Sequence, residues 1–533
     1  MKKSISLLLG GVITLASIVP LASCGNKEIP DTEETLQIYC WQGGYGTDWC
    51  DALIESFKNQ EWVKEKYPNL NILAPTYNDN WGFAASRLSA GDRNTYDLLF
   101  SPGLNQYYGP SGYALDLTES VYNSTVPGED ILWKNKENQS YRLSNKYVDV
   151  KDVSSERYYC TPWAGGMGAI IYNETALSGL GIEVPNTTDE LVAACAAIME
   201  NKNANNGKYN KGFSFIQSKD APEYFEYLFT IWWAQYEGIS GYNDFWSGID
   251  NNRYSANIFL QEGREQALEV FEEILDYDKG YLTPNTFNLE FMPAQLAFLK
   301  GEGVFHVNGD WLENEMRDLT KDLKLDTFKT MKTPIISALG EKLGITDAEL
   351  SAIVDYVDGE GEKPTFTSTA DYTEEEVIDI VREARSVVQS VGAGHQAAIP
   401  KNATGKNVAV DFLRFMATDV AQEVYMTATG GNNLPFAYNV KEKNPELYNS
   451  FSTIHQSRID YFNNGLYEPY TLPDKNSFPL CSYGDLEAFS DMTLFATFSA
   501  SGNKKTAADF MKETVDVWTE SKWDRALKAA GIT

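Results

Sequence analysis

The run GEGVFHVNGDWLENEM at residues 301–316 places a hydrophobic strand signal, Val304, Phe305 and Val307, directly before Asn308-Gly309-Asp310-Trp311. Apolar residues followed by Asn-Gly read as a buried strand and the turn that ends it, which leaves Trp311 beside a carboxylate near a strand tip. Similar tips recur at CWQGGYGTDW, where Trp41, Gln42 and Tyr45 follow the first strand, and after YDLLF, where Ser101 and Asn105 follow. An aromatic face set among amide, hydroxyl and carboxylate groups breaks no bonds. It holds a molecule with apolar faces and a hydroxylated equator, by stacking and hydrogen bonding. Glycines at such tips let backbone N–H groups come close. For Trp41, packing between helix and sheet is the competing reading.

Signatures of covalent chemistry are missing. The three histidines, His306, His395 and His455, are far apart in the chain and read as structural. The sequence holds no HExxH, GxSxG elbow, Walker loop or GxGxxG. Carboxylates are plentiful, so a glycosidase pair is available by composition, yet no motif selects one. Asp250-Asn251-Asn252 reads as a turn rather than as calcium ligands, because no EF-hand spacing surrounds it. No cofactor or metal is expected.

The elements that must position these residues alternate. Strands at Thr35–Tyr39, Asn71–Leu73 and Tyr96–Phe100 are separated by helices at Trp49–Asn59 and Trp81–Ala90, which points to βαβ units and a mostly parallel sheet. Capping boxes predict helix starts at Thr187 with Glu190, Thr346 with Glu349 and Thr373 with Glu376. Val377, Ile380, Val381 and Ala384 form one apolar helical stripe, and Ala267, Val270, Phe271, Ile274 and Leu275 another; both are core. Residues 331–388 read as helical and acidic, with a surface loop at 358–365. At 533 residues the chain needs more than one lobe, and no linker cuts it into consecutive domains.

Lys2 and Lys3 precede an apolar run from Ile5 to Pro20, which is leader-peptide architecture. Leu21-Ala22-Ser23-Cys24-Gly25 then resembles the bacterial lipobox, so residues 1–24 read as a lipoprotein leader with its lipobox, and the resemblance implies that Cys24 becomes the lipidated N-terminus of the mature chain; residues 25–35 read as a flexible tether. A formal net charge of −31 argues against nucleic acid and against anionic membrane surfaces as partners. Beyond Cys24, five cysteines remain, an odd number. Cys40 and Cys50 flank one loop, and either a bridge or buried free thiols fits them.

Three segments carry a family resemblance: YYCTPWAGGMGAIIYNETAL (158–177), AQLAFLKGEGVFHVNGDWLENEM (294–316) and GAGHQAAIPKNATGKNVAVDFLRFMATDVAQEVYMTATGGNNLPF (392–436). In this order they resemble successive signatures of the family 1 extracellular solute-binding proteins, the sugar-binding lipoproteins of ABC importers, which are similar to maltose-binding protein. The resemblance implies an α/β, two-lobed fold of the periplasmic-binding-protein type II kind, with discontinuous lobes and a ligand cleft between them. Lobe one would take 36–162 and 391–457 and lobe two 163–390 and 458–533, with hinge crossings near Pro162, Val391 and Ser457.

It also implies a monomer, lipid-anchored on the extracytoplasmic face of the cell membrane, that hands a carbohydrate, an oligosaccharide, to ABC permease subunits without turnover. The residues it adds to the ligand set are Trp163 beside the first hinge, Tyr224 on the second lobe's wall, Asp310 and Trp311, and Asn433 and Tyr483 in polar loops. Asp310 departs from the residue maltose-binding protein carries there, so capping the next helix is its alternative role. Of the adjacent Trp232 and Trp233, at most one faces the cleft. The readings kept alongside are a binding protein for a peptide or polyol and a surface carbohydrate-active enzyme.

Overall fold

The computed structural model describes residues 32–203, 213–221, 224–390, 394–487, 494–499 and 505–532. The leader, Cys24, most of the tether and the crossing at Val391 lie outside these residues. Nine strands build two sheets: β1 Ile38–Trp41, β2 Thr76–Asn78, β3 Leu98–Pro102, β4 Cys160–Pro162, β5 Gly168–Asn173, β6 Phe213–Phe215, β7 Gly303–Gly309, β8 Phe328–Thr330 and β9 His395–Ala398. The first sheet runs β2-β1-β3-β9-β4 and the second β6-β7-β5-β8. In the first, β1 is parallel to β2 and β3, while β9 runs antiparallel to β3 and β4. In the second, β6 and β7 are parallel and β5 is antiparallel to β7 and β8. Each sheet is thus parallel in direction except for one reversed strand, β9 in the first and β5 in the second.

The helices that matter for the site are α1 Asp48–Asn59, α2 Phe225–Ser247, α3 Phe291–Leu299, α4 Leu312–Thr320, α5 Asp347–Val357, α6 Glu374–Ser386, α7 Asp419–Thr429 and α8 Thr453–Phe462. Both strands at the centre of the second sheet are buried along their whole length, as the apolar run Ala169-Ile170-Ile171-Tyr172 requires of a strand covered on both faces. The capping boxes at Thr346 and Thr373 form in full and start α5 and α6. That at Thr187 is half formed: its hydroxyl accepts from Glu190 N at 3.3 Å, while the Glu190 carboxylate turns to Asn186 N at 2.7 Å. Both predicted stripes are core, although Ile380 and Val270 are only partly covered. The acidic segment 331–388 packs α5 and α6 into the core of the second lobe alongside α2.

Several expectations change. The first strand is two: Thr35–Leu36 pairs with Asn71–Ile72, and only Ile38–Trp41 enters the main sheet. Asn308 and Gly309 do not end β7. They continue it, because Gly309 still pairs with Gly168 on β5, and the chain turns only at Asp310. Asp250-Asn251-Asn252 sits in a hairpin, with Asn251 and Asn252 at φ 48 and 62, the left-handed pair of a tight turn. Trp232 and Trp233 are both fully buried, their indoles donating to Pro334 O at 3.0 Å and Gln261 Oε1 at 2.8 Å, so neither lines the cleft. All five described cysteines are free thiols, and Cys40 and Cys50 are buried. No helix among the described residues is long and apolar enough to cross a membrane.

Candidate ligand site between the lobes

The loop between β1 and α1 brings Tyr45 against the end of β7. Glycine makes the approach possible: a Cβ on Gly44 would sit 2.7 Å from Trp311 Cβ, and one on Gly166 2.0 Å from Tyr45 Oη and 2.5 Å from Asp310 Oδ1. Tyr45 donates to Asp310 Oδ1 at 3.1 Å, and Asn314 Nδ2 of α4 donates to Gly44 O at 2.8 Å. The two lobes therefore touch at their chain tips. Gly166→Ala is expected to hold them apart, because the added methyl would collide with the buried, mutually bonded Tyr45 and Asp310 side chains. Small-angle scattering should show a larger radius of gyration; an unchanged radius would mean that the contact does not set the closed shape.

Asp310 does not cap α4, whose first turn has no side-chain cap. It is buried, with Oδ2 3.3 Å from Arg458 Nη1. Arg458, on α8, also donates to Asn433 Oδ1 at 2.5 Å and Gly431 O at 2.6 Å. With its amide oriented to satisfy this network, Asn432 donates to Asp310 Oδ2 at 2.7 Å. One buried carboxylate thus collects the β1–α1 loop, the end of α7 and the crossing helix α8. Burial pushes the Asp310 carboxyl above its ordinary range, with Arg458 pulling the other way.

Around this polar centre stand the aromatics. Trp311 meets Tyr224 edge-on at 5.7 Å, and Tyr224 stacks on Tyr227 at 5.2 Å and abuts Phe291 of α3 at 5.7 Å. From the first lobe, Trp41 meets His395 at 5.4 Å and Trp81 at 5.6 Å, and Trp81 is 61% exposed. Trp163 lies beneath, stacked on Trp49 at 4.9 Å and 15°, and its buried indole N–H has no acceptor. Gln42 is exposed at the rim.

The structure thus brings together Trp41, Gln42, Tyr45, Trp163, Tyr224, Asp310, Trp311 and Asn433. Three expected residues stand elsewhere. Strand β3 runs on to Pro102, so Ser101 is fully buried inside it, opposite Gln396. The Asn105 side chain caps a short 3-10 turn by accepting from Tyr107 N at 3.0 Å. Tyr483 packs on Tyr107 at 4.8 Å, where Tyr107 also donates to Ser477 O at 3.3 Å.

Sequence reasoning missed Trp81, Tyr227, His395, Asn314 and Arg458. Only Trp81 had a readable signal, the Asn-Asp-Asn-Trp-Gly tip after a short strand. His306 bridges Ile216 O at 2.8 Å and Asn308 Nδ2 at 2.9 Å, and burial brings it down to about 4. His455 lies fully buried 3.2 Å from Glu313, held well below the ordinary imidazole range by burial, then by Arg458 and Arg317. His306 is thus a satisfied structural histidine, whereas neither ring nitrogen of His455 has a hydrogen-bond partner among the described residues and His395 joins the aromatic set.

Beneath Trp311, one turn along α4, Glu315 accepts from Gln295 Nε2 at 2.8 Å, and burial pushes its carboxyl up from 4.5 to about 7. A raised carboxyl binds its proton more tightly in the folded chain. The stabilisation is therefore full below pH 4.5 and is lost as pH rises through 7. Glu315→Gln should flatten the decline in melting temperature across that window, a difference of about 3 kcal/mol at most. Parallel declines in both proteins would sink the assignment.

A two-sheet α/β architecture in which each sheet carries one reversed strand and chain tips meet at Tyr45 and Asp310 defines a class: two-lobed proteins that clasp a small molecule. The family described as bacterial extracellular solute-binding protein matches residues 52–450. The chain belongs to that family. It is 19% identical over 340 residues to the multiple sugar-binding protein of Streptococcus mutans, covering 61% of this chain and 69% of that protein. Its fold is shared with the cyclic alpha-maltosyl-1,6-maltose binding protein of Arthrobacter globiformis, at TM-score 0.54 and 16% identity over 93% of this chain and 97% of the other. It is also shared with an ABC substrate-binding protein from Listeria monocytogenes in complex with cycloalternan, at TM-score 0.53 and 14% identity over 94% and 99%.

Proposed function

We propose that this chain is the carbohydrate-binding component of an ABC importer, lipid-anchored through Cys24 on the extracytoplasmic face of the membrane. It acts as a monomer, captures an oligosaccharide between its lobes and delivers it unchanged to permease subunits. The lobes are residues 36–162 with 391–457, and 163–390 with 458–533. The observation that carries the reading is the interlobe set itself: Trp41 and Trp81 on one side, Tyr224, Tyr227 and Trp311 on the other, with Asp310 and Asn433 at its floor. Flat aromatic faces with few polar groups fit pyranose rings, whose C–H faces stack while their equatorial hydroxyls bond to carboxylate and amide. Family membership and the relatives' printed names, a multiple sugar-binding protein among them, support the same reading.

In this scheme the ligand enters an open form and favours closure by touching both lobes at once. Tyr45 bonds directly to Asp310 in the structure; a ligand hydroxyl entering between the lobes takes the place of one partner in that bond and so touches both lobes. Gln42 lies at the rim, within reach of an end residue of a longer chain.

The test is a thermal-shift screen of the chain from Asn26 onward against mono- and oligosaccharides, with amino acids, peptides and polyols as controls, and chromatography for products. Specific ligands raise the melting temperature by mass action. A shift confined to one saccharide series, with the sugar recovered intact, is expected. A response to peptides or polyols alone, or cleavage of the sugar, overturns the proposal.

A further inference from the structure

The bond between Tyr45 and Asp310 joins two unlike partners. Asp310 follows β7, whose last residue Gly309 is paired with Gly168. Its Oδ2 is held 3.3 Å from Arg458 Nη1 and, with the amide oriented to satisfy the network, 2.7 Å from the Asn432 side-chain nitrogen. Tyr45 instead stands in Gly43-Gly44-Tyr45-Gly46, with Gly46 in the left-handed region at φ 69. Such a segment changes backbone conformation at little steric cost. It is tied by Gly46 N to Gly43 O at 2.7 Å and by Asn314 Nδ2 to Gly44 O at 2.8 Å. Breaking the phenol–carboxylate bond therefore releases Tyr45, while Asp310 keeps its cation and its amide.

The Tyr45 ring is 3% exposed and fills a space bounded by three other rings. Trp163, His395 and Trp311 lie 5.9, 6.0 and 6.3 Å from it, at 79°, 87° and 79° to its plane. A phenol is a six-membered ring with one hydroxyl, close in size to a pyranose unit, and its O–H makes with Asp310 the bond that a sugar hydroxyl makes with a carboxylate. Beside it the Trp163 indole N–H, on a side chain only 1% exposed, has no acceptor among the described residues. Folded interiors pair such donors. A ring carrying several hydroxyls offers acceptors that the single phenol oxygen, committed to Asp310, does not.

We infer that Tyr45 holds the place of one pyranose ring, and that a saccharide binds by displacing it from the box formed by Trp163, His395, Trp311 and Asp310. The inference rests on the carbohydrate reading of the cleft and says which group yields. The phenol swings out on its glycine segment, and a ring hydroxyl takes over Asp310 Oδ1. Only molecules with Tyr45 withdrawn accept the ring, so the apparent affinity is lowered by the fraction in which it is withdrawn. Tyr45 is thus a built-in competitor that sets the affinity threshold of the site, not a contact that strengthens binding.

Tyr45→Phe keeps the ring and removes the phenol oxygen, so the plug loses its bond to Asp310. Hydrogen exchange of the purified chain, with no sugar added, is the first arm, because it reads local opening whatever the cleft holds. The peptide spanning residues 41–47 is expected to exchange faster in the variant, with exchange in β7 unchanged. Equal exchange in the two proteins overturns the inference. Titration calorimetry with maltotriose, raffinose and xylotriose as probes is the second arm. The variant is expected to bind the responding probe about 5- to 10-fold more tightly, the worth of one lost competing hydrogen bond; binding by the variant alone counts as tighter. Equal or weaker binding makes Tyr45 an ordinary ligand contact and overturns the inference. Should neither protein bind any probe, the carbohydrate reading fails for these sugars, and the exchange comparison alone decides whether Tyr45 is latched.

Discussion

Trp311→Ala is expected to weaken saccharide binding about 100-fold, the loss of about 2–4 kcal/mol that follows truncation of a central aromatic anchor. The size of the effect follows from where the indole stands. It is 6% exposed, folds back over Gly309, where a Cβ would lie 1.9 Å from its ring, and meets Tyr224 and Tyr45 edge-on. Removing it takes away a stacking face and also lets Tyr224 and the Gly44 loop relax into the gap. Trp311→Phe keeps a flat face and should retain most of the affinity, which separates stacking from loss of fold. Calorimetric titration with the responding saccharide measures both variants, and circular dichroism checks their helix content. An alanine variant that is folded and binds as the wild type does would remove Trp311 from the site and with it the main support for the cleft assignment.

Arg458→Met should be the most destabilising single change in the interlobe network, by about 3–5 kcal/mol, because it strands a buried carboxylate. Asp310 and Arg458 side chains are each 1% exposed, so water cannot replace the lost partner. Burial already pushes Asp310 above the usual carboxylate range with the guanidinium present; without it the carboxyl rises further. A raised carboxyl loses stability as pH increases through its folded value. The variant's melting temperature should therefore fall more steeply with rising pH than that of the wild type, starting above about pH 4. The double variant Arg458→Met, Asp310→Asn removes the charge altogether and should recover much of the loss. Urea denaturation across a pH series measures all three proteins. If the single variant is as stable as the wild type at neutral pH, the network does not hold the lobes together.

Much of the fold was legible because its signals are local. The capping boxes at Thr346 and Thr373 act within one turn of chain, and the apolar stripes of α6 and of residues 267–275 repeat within a few turns. Such features need no knowledge of the partner surface. Element ends were less legible. Asn308-Gly309 looks like a turn in isolation, yet it stays in β7 because β5 continues alongside and offers its hydrogen-bonding groups. Ser101 was misplaced for the same reason: β3 is extended by its pairing with β9, which comes from nearly 300 residues later in the chain.

The sequence by itself determined the α/β class, the family, the buried helices and the aromatic character of the strand tips, since composition and short-range periodicity carry that information. Only the tertiary structure decided which tips meet. Tyr45 and Asp310 are 265 positions apart, and Gln396 and Asn145 251 apart. No local pattern records such pairings, because they depend on how two sheets and the helices around them pack. The same packing sent Tyr483 to Tyr107, enclosed Ser101, and set Trp81 and His395 beside Trp41. It also made Asp310, read from the sequence as a ligand contact or else a helix cap, a buried partner of Arg458, for a carboxylate enclosed between two lobes must find a cation or give up its charge.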